Sequence, residues 1–175
     1  MFRAFALTAA LLAGWAATGG CDRPPASAAA APPPSHLDDG RPLAGLPRLK
    51  LLLGAKELDA EVAMTVPHIM KGLMWRTNVA ETAGMLFVFG QTHQPAFYMK
   101  NVPMDIDCAY LDPAGTILEI HRLERFNTNP VPARAGNIQF VLETAAGWFA
   151  RHGVATGMVV RTETGPLRDS FRFAR

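Results

Sequence analysis

The hydrophobic pattern changes character along this chain. Phe5 to Ala17 is one unbroken apolar stretch, and from Asp22 to Pro47 the pattern dissolves into Ala and Pro. From Arg48 onward it returns as short runs separated by turn residues. Arg48–Leu53 and Leu58–Thr65 read as two strands around Gly54-Ala55-Lys56-Glu57, a hairpin. In the second, Leu58, Ala60, Val62 and Met64 alternate with Asp59, Glu61 and Ala63, the period of a half-buried strand. Thr65 stands where an N-cap belongs, with Pro67 in the first turn. Ile69, Met70 and Leu73 follow at helical spacing, predicting a short helix that ends near Trp75-Arg76.

Met85–Phe89 has no polar alternation, so both faces of this strand are expected to be buried. Phe97–Lys100 and Asp105–Leu111 read as strands separated by Asn101-Val102-Pro103. Asp112-Pro113-Ala114-Gly115 predicts a hairpin turn with Thr116–Arg122 as the return strand. Glu124–Asn137, with two Pro and three Asn, reads as a long surface loop of the kind that often carries function. Ile138–Glu143 is a further strand, Thr144–His152 a short helix stopped by Gly153, and Gly157–Arg161 a last strand. About eight short strands and two short helices predict a mostly β fold, a compact β-barrel or jelly-roll-like sandwich.

The first forty residues alter the domain count. Met1-Phe2-Arg3 and the apolar run after it have the form of a signal peptide, too short to span a bilayer comfortably. Residues 1–21 are therefore read as a lipoprotein-like leader, because Gly19-Gly20-Cys21 resembles a lipobox in which Cys21 is lipidated. Thr18 stands where a lipobox usually has Leu. Cleavage at Ala26-Ser27-Ala28 is the alternative and would release a soluble periplasmic protein after Ala28. Either exit exports the domain, as a lipoprotein on the periplasmic face of a bacterial membrane or free in the periplasm. Residues 22–47 are an Ala/Pro-rich tether, 48–163 the β domain, and 164–175 a flexible basic tail. In that tail Arg168, Arg172 and Arg175 stand beside Phe171 and Phe173.

Charge narrows the partners. The chain holds 17 Lys and Arg against 15 Asp and Glu, with no run of like charge, which argues against nucleic acid. Two cysteines make no disulfide framework, and Cys108, between Asp107 and Ala109, reads as a small buried hydrophobe.

Candidate chemistry gathers around Lys100. It follows three bulky apolar residues and precedes Asn101, so its ammonium needs a partner if it points inward; Asp105 and Glu143 are the candidates. The residues allow two readings: an anion site with Lys100, Asn101 and Asp105, or an ion pair fixing strand register. Arg134, in the long loop, is placed to close over an anion, and Trp75-Arg76 to line a pocket by stacking. Asp105 and Asp107, two apart, would share one strand face, as would Glu119 and His121. Asp107, Glu119 and His121 are thus weak candidates for an acid/base cluster. Five His without ligand spacing give no zinc signature, and no cofactor or metal is expected. These residues favour binding of a small, anionic ligand or an envelope partner. A hydrolase-like enzyme using the Asp/Glu/His cluster is one alternative, and a purely structural or assembly role in the envelope is another.

Five stretches in order resemble the domain-of-unknown-function family DUF192: Gly72-Leu73-Met74-Trp75-Arg76, Gly84-Met85-Leu86-Phe87-Val88-Phe89, Tyr98-Met99-Lys100-Asn101, Pro103-Met104-Asp105-Ile106 and Val141-Leu142-Glu143. The resemblance spans about Leu58 to Arg161. It implies a small, mostly β, often exported prokaryotic domain whose biochemistry is unsettled. Two places depart from the family pattern. Val66-Pro67-His68 follow Thr65 where acidic residues usually stand, and Gly157-Met158 replaces a Gly-Asp turn, removing one carboxylate.

Overall fold

The computed structural model describes residues 39–173. The leader, Cys21 and the tether up to residue 38 lie outside the described residues. Ten strands and two short helices follow in the order β1 (Arg48–Leu53), β2 (Lys56–Ala63), α1 (Val66–Lys71), β3 (Ala83–His93), β4 (Ala96–Phe97), β5 (Ile106–Leu111), β6 (Ile117–Leu123), β7 (Val131–Pro132), β8 (Ile138–Ala145), α2 (Trp148–Arg151), β9 (Val160–Thr162) and β10 (Gly165–Pro166). The mostly β expectation holds, and the arrangement is sandwich-like.

Eight strands form one sheet in the order β10-β9-β1-β2-β3-β8-β5-β6, with β4 and β7 paired apart from it. The sheet does not close into a barrel. Its ends meet only locally, through a bridge between Thr116 and Val159. Neighbours are antiparallel except β2 and β3, which run parallel across a connection through α1. A helix of six residues suffices for the crossover because a further eleven residues of loop complete it.

Strand alternation sorts the apolar residues onto two faces. Leu51, Leu58, Val62, Leu86, Val88, Phe140 and Leu142 build one core. Met85, Phe87, Ile106, Cys108, Tyr110 and Val141 build the other, joined by Leu73, Met74, Met99 and Val102 from the connections. This explains the unbroken Met85–Phe89 run, since β3 lies between β2 and β8 and is covered on both sides. Trp148 and Phe149 of α2 fill one end of the first core.

Local signals act as read at two turns. Thr65 caps α1 by accepting from His68 N–H at 3.4 Å, and Asp112 Oδ1 accepts from Ala114 and Thr116 N–H at 2.9 and 2.8 Å. The helix is shorter than predicted. Gly72, at φ 46°, ends it four residues early, and a Cβ there would meet the Phe87 ring at 3.1 Å.

Both ends of the described chain are docked. Asp39 pairs with buried Lys71 at 2.7 Å, and Leu46 is buried, so contact with the domain begins nine residues before β1. The basic tail is a correction. Leu167 is fully buried and Phe171 packs on Phe140, because apolar side chains at these positions continue the first core past β10.

Candidate functional site

Three residues other than glycine adopt positive φ among the described residues: Trp75 at 67°, Asn101 at 58° and Phe126 at 58°. They meet at one place. Trp75 N–H donates to Asn101 C=O at 2.7 Å, and Phe126 N–H donates to the adjacent Val102 C=O at 3.0 Å. Met99 N–H donates to Asn127 C=O at 2.7 Å, and Val102 N–H turns back to Met99 C=O at 3.2 Å. Asn tolerates the left-handed region, whereas for Trp and Phe it costs roughly 1–3 kcal/mol each. The strain persists because Leu73 and Met74 on one side and Met99 and Val102 on the other are fixed in the second core.

Lys100 lies half-buried on this turn, between Met99 and Asn101. It is not a strand residue as predicted, since β4 stops at Phe97 and the chain turns. Arg76, next to strained Trp75, donates from Nη1 to Glu61 Oε2 at 2.7 Å and from Nη2 to Leu43 C=O at 2.9 Å. Glu61 lies 3.7 Å from Arg48 as well, so one half-buried carboxylate serves two guanidinium groups. Trp75 Nε1 and Arg76 Nε are buried with no hydrogen-bond partner among the described residues. Two consecutive unmet donors are unusual in a native interior.

Clefts flank the turn on two sides. One of about 300 Å³ is lined by Arg48, Glu61, Leu73, Arg76, Asn78 and Gly84. The other, of about 280 Å³, lies between Tyr98, Met99, Glu124, Asn127, Asn129 and Val131. Phe126, 61% exposed, stands beside it on the long loop.

The remaining sequence candidates are dispersed. Asp105 precedes β5, is exposed, and accepts from Arg125 N–H at 2.9 Å, so it does not share a strand face with Asp107 as expected. Asp107 is buried at the end of the first core and accepts from Arg122 Nε at 2.6 Å. Glu119 and His121 lie on β6 opposite Tyr110 and Cys108, on the second face, 2.8 Å apart. Glu119 also accepts from the Arg134 and Ala135 amides at 2.7 and 3.0 Å. Burial raises its carboxyl, but the His121 hydrogen bond and these two amides outweigh burial and hold it below the usual range. The expected acid/base cluster is therefore not assembled in one place. Arg134 contributes its backbone to this clamp, and its side chain is exposed.

Glu143 occupies the middle of the sheet, across from Met85 on β3 and Cys108 on β5. Burial pushes its carboxyl up to about 8, so it is neutral at pH 7. Cys108 is a fully buried free thiol, raised by burial, as its apolar setting suggested. Among the described residues no three His, Cys, Asp or Glu side chains are grouped to hold a metal ion.

The residues that sequence reasoning missed are Glu61 and the loop residues Phe126 and Asn127. Glu61 looked like one of several solvated positions on β2; its tie to Arg76 crosses fifteen residues and leaves no local trace.

A family model, DUF192, described as an uncharacterized ACR, matches residues 50–162. Among solved structures, one from Sinorhizobium meliloti 1021, whose description proposes a transcription regulator, is 30% identical with a TM-score of 0.61. That match covers 66% of this chain and 92% of the other. A protein of unknown function from Novosphingobium aromaticivorans DSM 12444 is 26% identical with a TM-score of 0.65, covering 69% of this chain and 89% of its own. No curated protein matches the chain.

Proposed function

Because the chain belongs to DUF192, a family whose description leaves its chemistry open, we propose from the geometry that it binds a small anionic ligand where Trp75-Arg76 meets Lys100-Asn101. The observation that carries this reading is the Trp75–Asn101 contact, in which two left-handed residues are held against each other by one backbone hydrogen bond. Backbone strain of this kind concentrates at ligand clamps, where surrounding packing maintains a geometry the local sequence disfavours. The indole N–H and the Arg76 Nε–H are donors seeking acceptors, and Lys100 adds a cation on the same turn. A carboxylate or similar oxyanion supplies the acceptors that the indole N–H and the Arg76 Nε–H lack.

The test is a thermal-shift series on the full chain with inorganic and organic anions. Stabilisation that disappears in Lys100→Ala is the expected result, and stabilisation unchanged in Lys100→Ala and Arg134→Ala removes both residues from the site. The domain works, on this reading, at a bacterial membrane through lipidated Cys21. Cys21→Ser is then expected to move the protein from the membrane to the soluble fraction, and unaltered fractionation defeats the anchor. An envelope-protein partner is a second reading, favoured by Phe126, a large apolar side chain held outward at positive φ. Phe126→Ala would abolish such an association while leaving anion-induced stabilisation intact.

A further inference from the structure

Residues 39–46, ahead of β1, form a strap tied to the domain at three points. Asp39 Oδ1 accepts from Lys71 Nζ at 2.7 Å and from Arg41 N–H at 3.0 Å. Leu43 C=O accepts from Arg76 Nη2 at 2.9 Å, and its side chain packs on the second core. Leu46 is buried in that core. Arg41, Pro42 and Ala44 between these ties are exposed. Gly40 and Gly45 bracket them in the left-handed region, at φ 73° and 70°, and a Cβ on either would meet nothing within 4 Å. The strap therefore has a pivot at each end that costs no packed side chain. Its polar tie is Asp39, the one side-chain partner of Lys71 among the described residues. The Lys71 side chain is only 8% exposed, so its ammonium depends on that carboxylate.

The bond from Leu43 falls on one prong of a fork. A guanidinium presents its Nε–H and one Nη2 hydrogen as a parallel pair, which a carboxylate takes with both oxygens. Arg151 shows the pair filled, with Nε and Nη2 donating to the two Glu81 oxygens at 3.1 and 2.7 Å. Arg76 shows it half filled. Its Nη1 is turned to Glu61 Oε2 at 2.7 Å, its Nη2 serves the Leu43 carbonyl, and its Nε is buried without a partner among the described residues. Arg76 also lines the cleft of about 300 Å³, so space for a small molecule adjoins it. A buried donor is reached only when a covering segment moves. The segment bonded to the neighbouring prong is the strap.

We infer that residues 39–46 are a gate in which the Leu43 carbonyl stands in for a carboxylate ligand, which takes Arg76 Nε and Nη2 together once the strap lifts. The gate depends on the anion reading of the Trp75-Arg76 site and narrows its ligand to a carboxylate. Glu61, already on Nη1, repels a doubly charged phosphate more than a singly charged carboxylate. Lifting the strap carries the Asp39 charge away with it, so the open state is the more positive one and favours the anion.

The experiment is a titration of the full chain with acetate at constant ionic strength, followed by the Trp75 indole N–H and the Leu43 methyl resonances. Both are expected to shift along one saturation curve, since ligand arrival and strap displacement are one event. Lys71→Met unties the strap without leaving an unpaired buried charge, and is expected to tighten acetate binding at least threefold. Asp39→Asn, on the exposed half of the pair, is expected to do the same and decides if Lys71→Met fails to fold. Arg76→Lys keeps the charge but loses the fork, and is expected to weaken binding at least tenfold. An indole shift without a Leu43 shift, at equal affinity in the untied variants, overturns the gate and leaves the anion site standing. No saturable shift in the native chain or in either untied variant overturns the anion site and the gate together. Affinity unchanged in Arg76→Lys overturns the fork, and tighter binding of inorganic phosphate than of acetate overturns the carboxylate assignment.

Discussion

Glu143 places a carboxyl between Met85 and Cys108 with 5% of its surface exposed, and among the described residues no hydrogen bond reaches it. Its pKa of about 8 in the folded protein, raised by burial from 4.5, makes stability depend on pH. The unfolded chain gives up this proton near pH 4.5, while the folded chain keeps it until about pH 8. Stability is therefore full below about pH 4.5, falls as pH rises through the interval, and levels off above pH 8. The loss is on the order of a few kcal/mol. Glu143→Gln, neutral at every pH, is expected to flatten that slope and to exceed the native chain in stability at pH 8. Urea midpoints at several pH values between 4.5 and 9 check this, and an equal slope in the variant assigns the dependence elsewhere. The sequence marked Glu143 as odd in an apolar strand, but it could not show whether a cation stands opposite. That depends on register between β8 and its neighbours, and register is a tertiary property.

At the scale of elements, one side chain clamps the last part of the long segment between β6 and β8. Glu119 Oε1 accepts from the Arg134 and Ala135 amides, and its Oε2 faces His121 Nε2. Tyr110 adds a second tie by donating to Val131 C=O at 2.6 Å. Glu119→Ala leaves two loop amides and the His121 ring without their acceptor, a cost of about 1–3 kcal/mol. Amide exchange at Arg134 and Ala135 is expected to quicken in Glu119→Ala while β3 and β8 stay protected. Glu119→Gln retains one acceptor oxygen and is expected to restore much of the protection. Faster exchange throughout the sheet would show instead that Glu119 supports the core. The loop itself was legible from its Pro and Asn content, and so were Met85–Phe89 as a strand buried on both faces and Asp112 as a turn former. Each of these rests on near neighbours in sequence. Left-handed Trp75 was not legible, because nothing local favours that conformation and packing of Leu73 and Met74 imposes it. For the same reason the helix before it was read too long.

At the scale of the molecule, the sheet runs from β10 to β6 and its two ends are joined where Thr116 bridges Val159. Ile117 N–H donates to Met158 C=O and Val160 N–H to Gly115 C=O, at 2.9 and 2.8 Å, so β6 and β9 are held at one corner only. Leu167 sits under that corner. A Cβ on Gly115 would lie 3.4 Å from the Leu167 Cβ and 2.6 Å from Val160 C=O, which measures how closely the three segments pack. Past it, Phe171 and Phe173 cover Phe140 with ring centroids 5.8 and 6.0 Å away. The residues after β10 thus act as a latch across the two ends of an open sheet. Composition suggested a flexible basic tail because the apolar residues between its arginines are too few to show a period. Leu167→Ala separates these pictures. A frayed tail predicts no change, whereas the buried latch predicts a loss of about 2–5 kcal/mol, the range for emptying a core leucine site. Arg168→Ala and Arg172→Ala, on the exposed side, are expected to stay within about 0.5 kcal/mol of the native chain. A lower urea midpoint for Leu167→Ala alone would establish that the sheet depends on its last residues to hold its ends together, and equal midpoints for all three would return the segment to solvent.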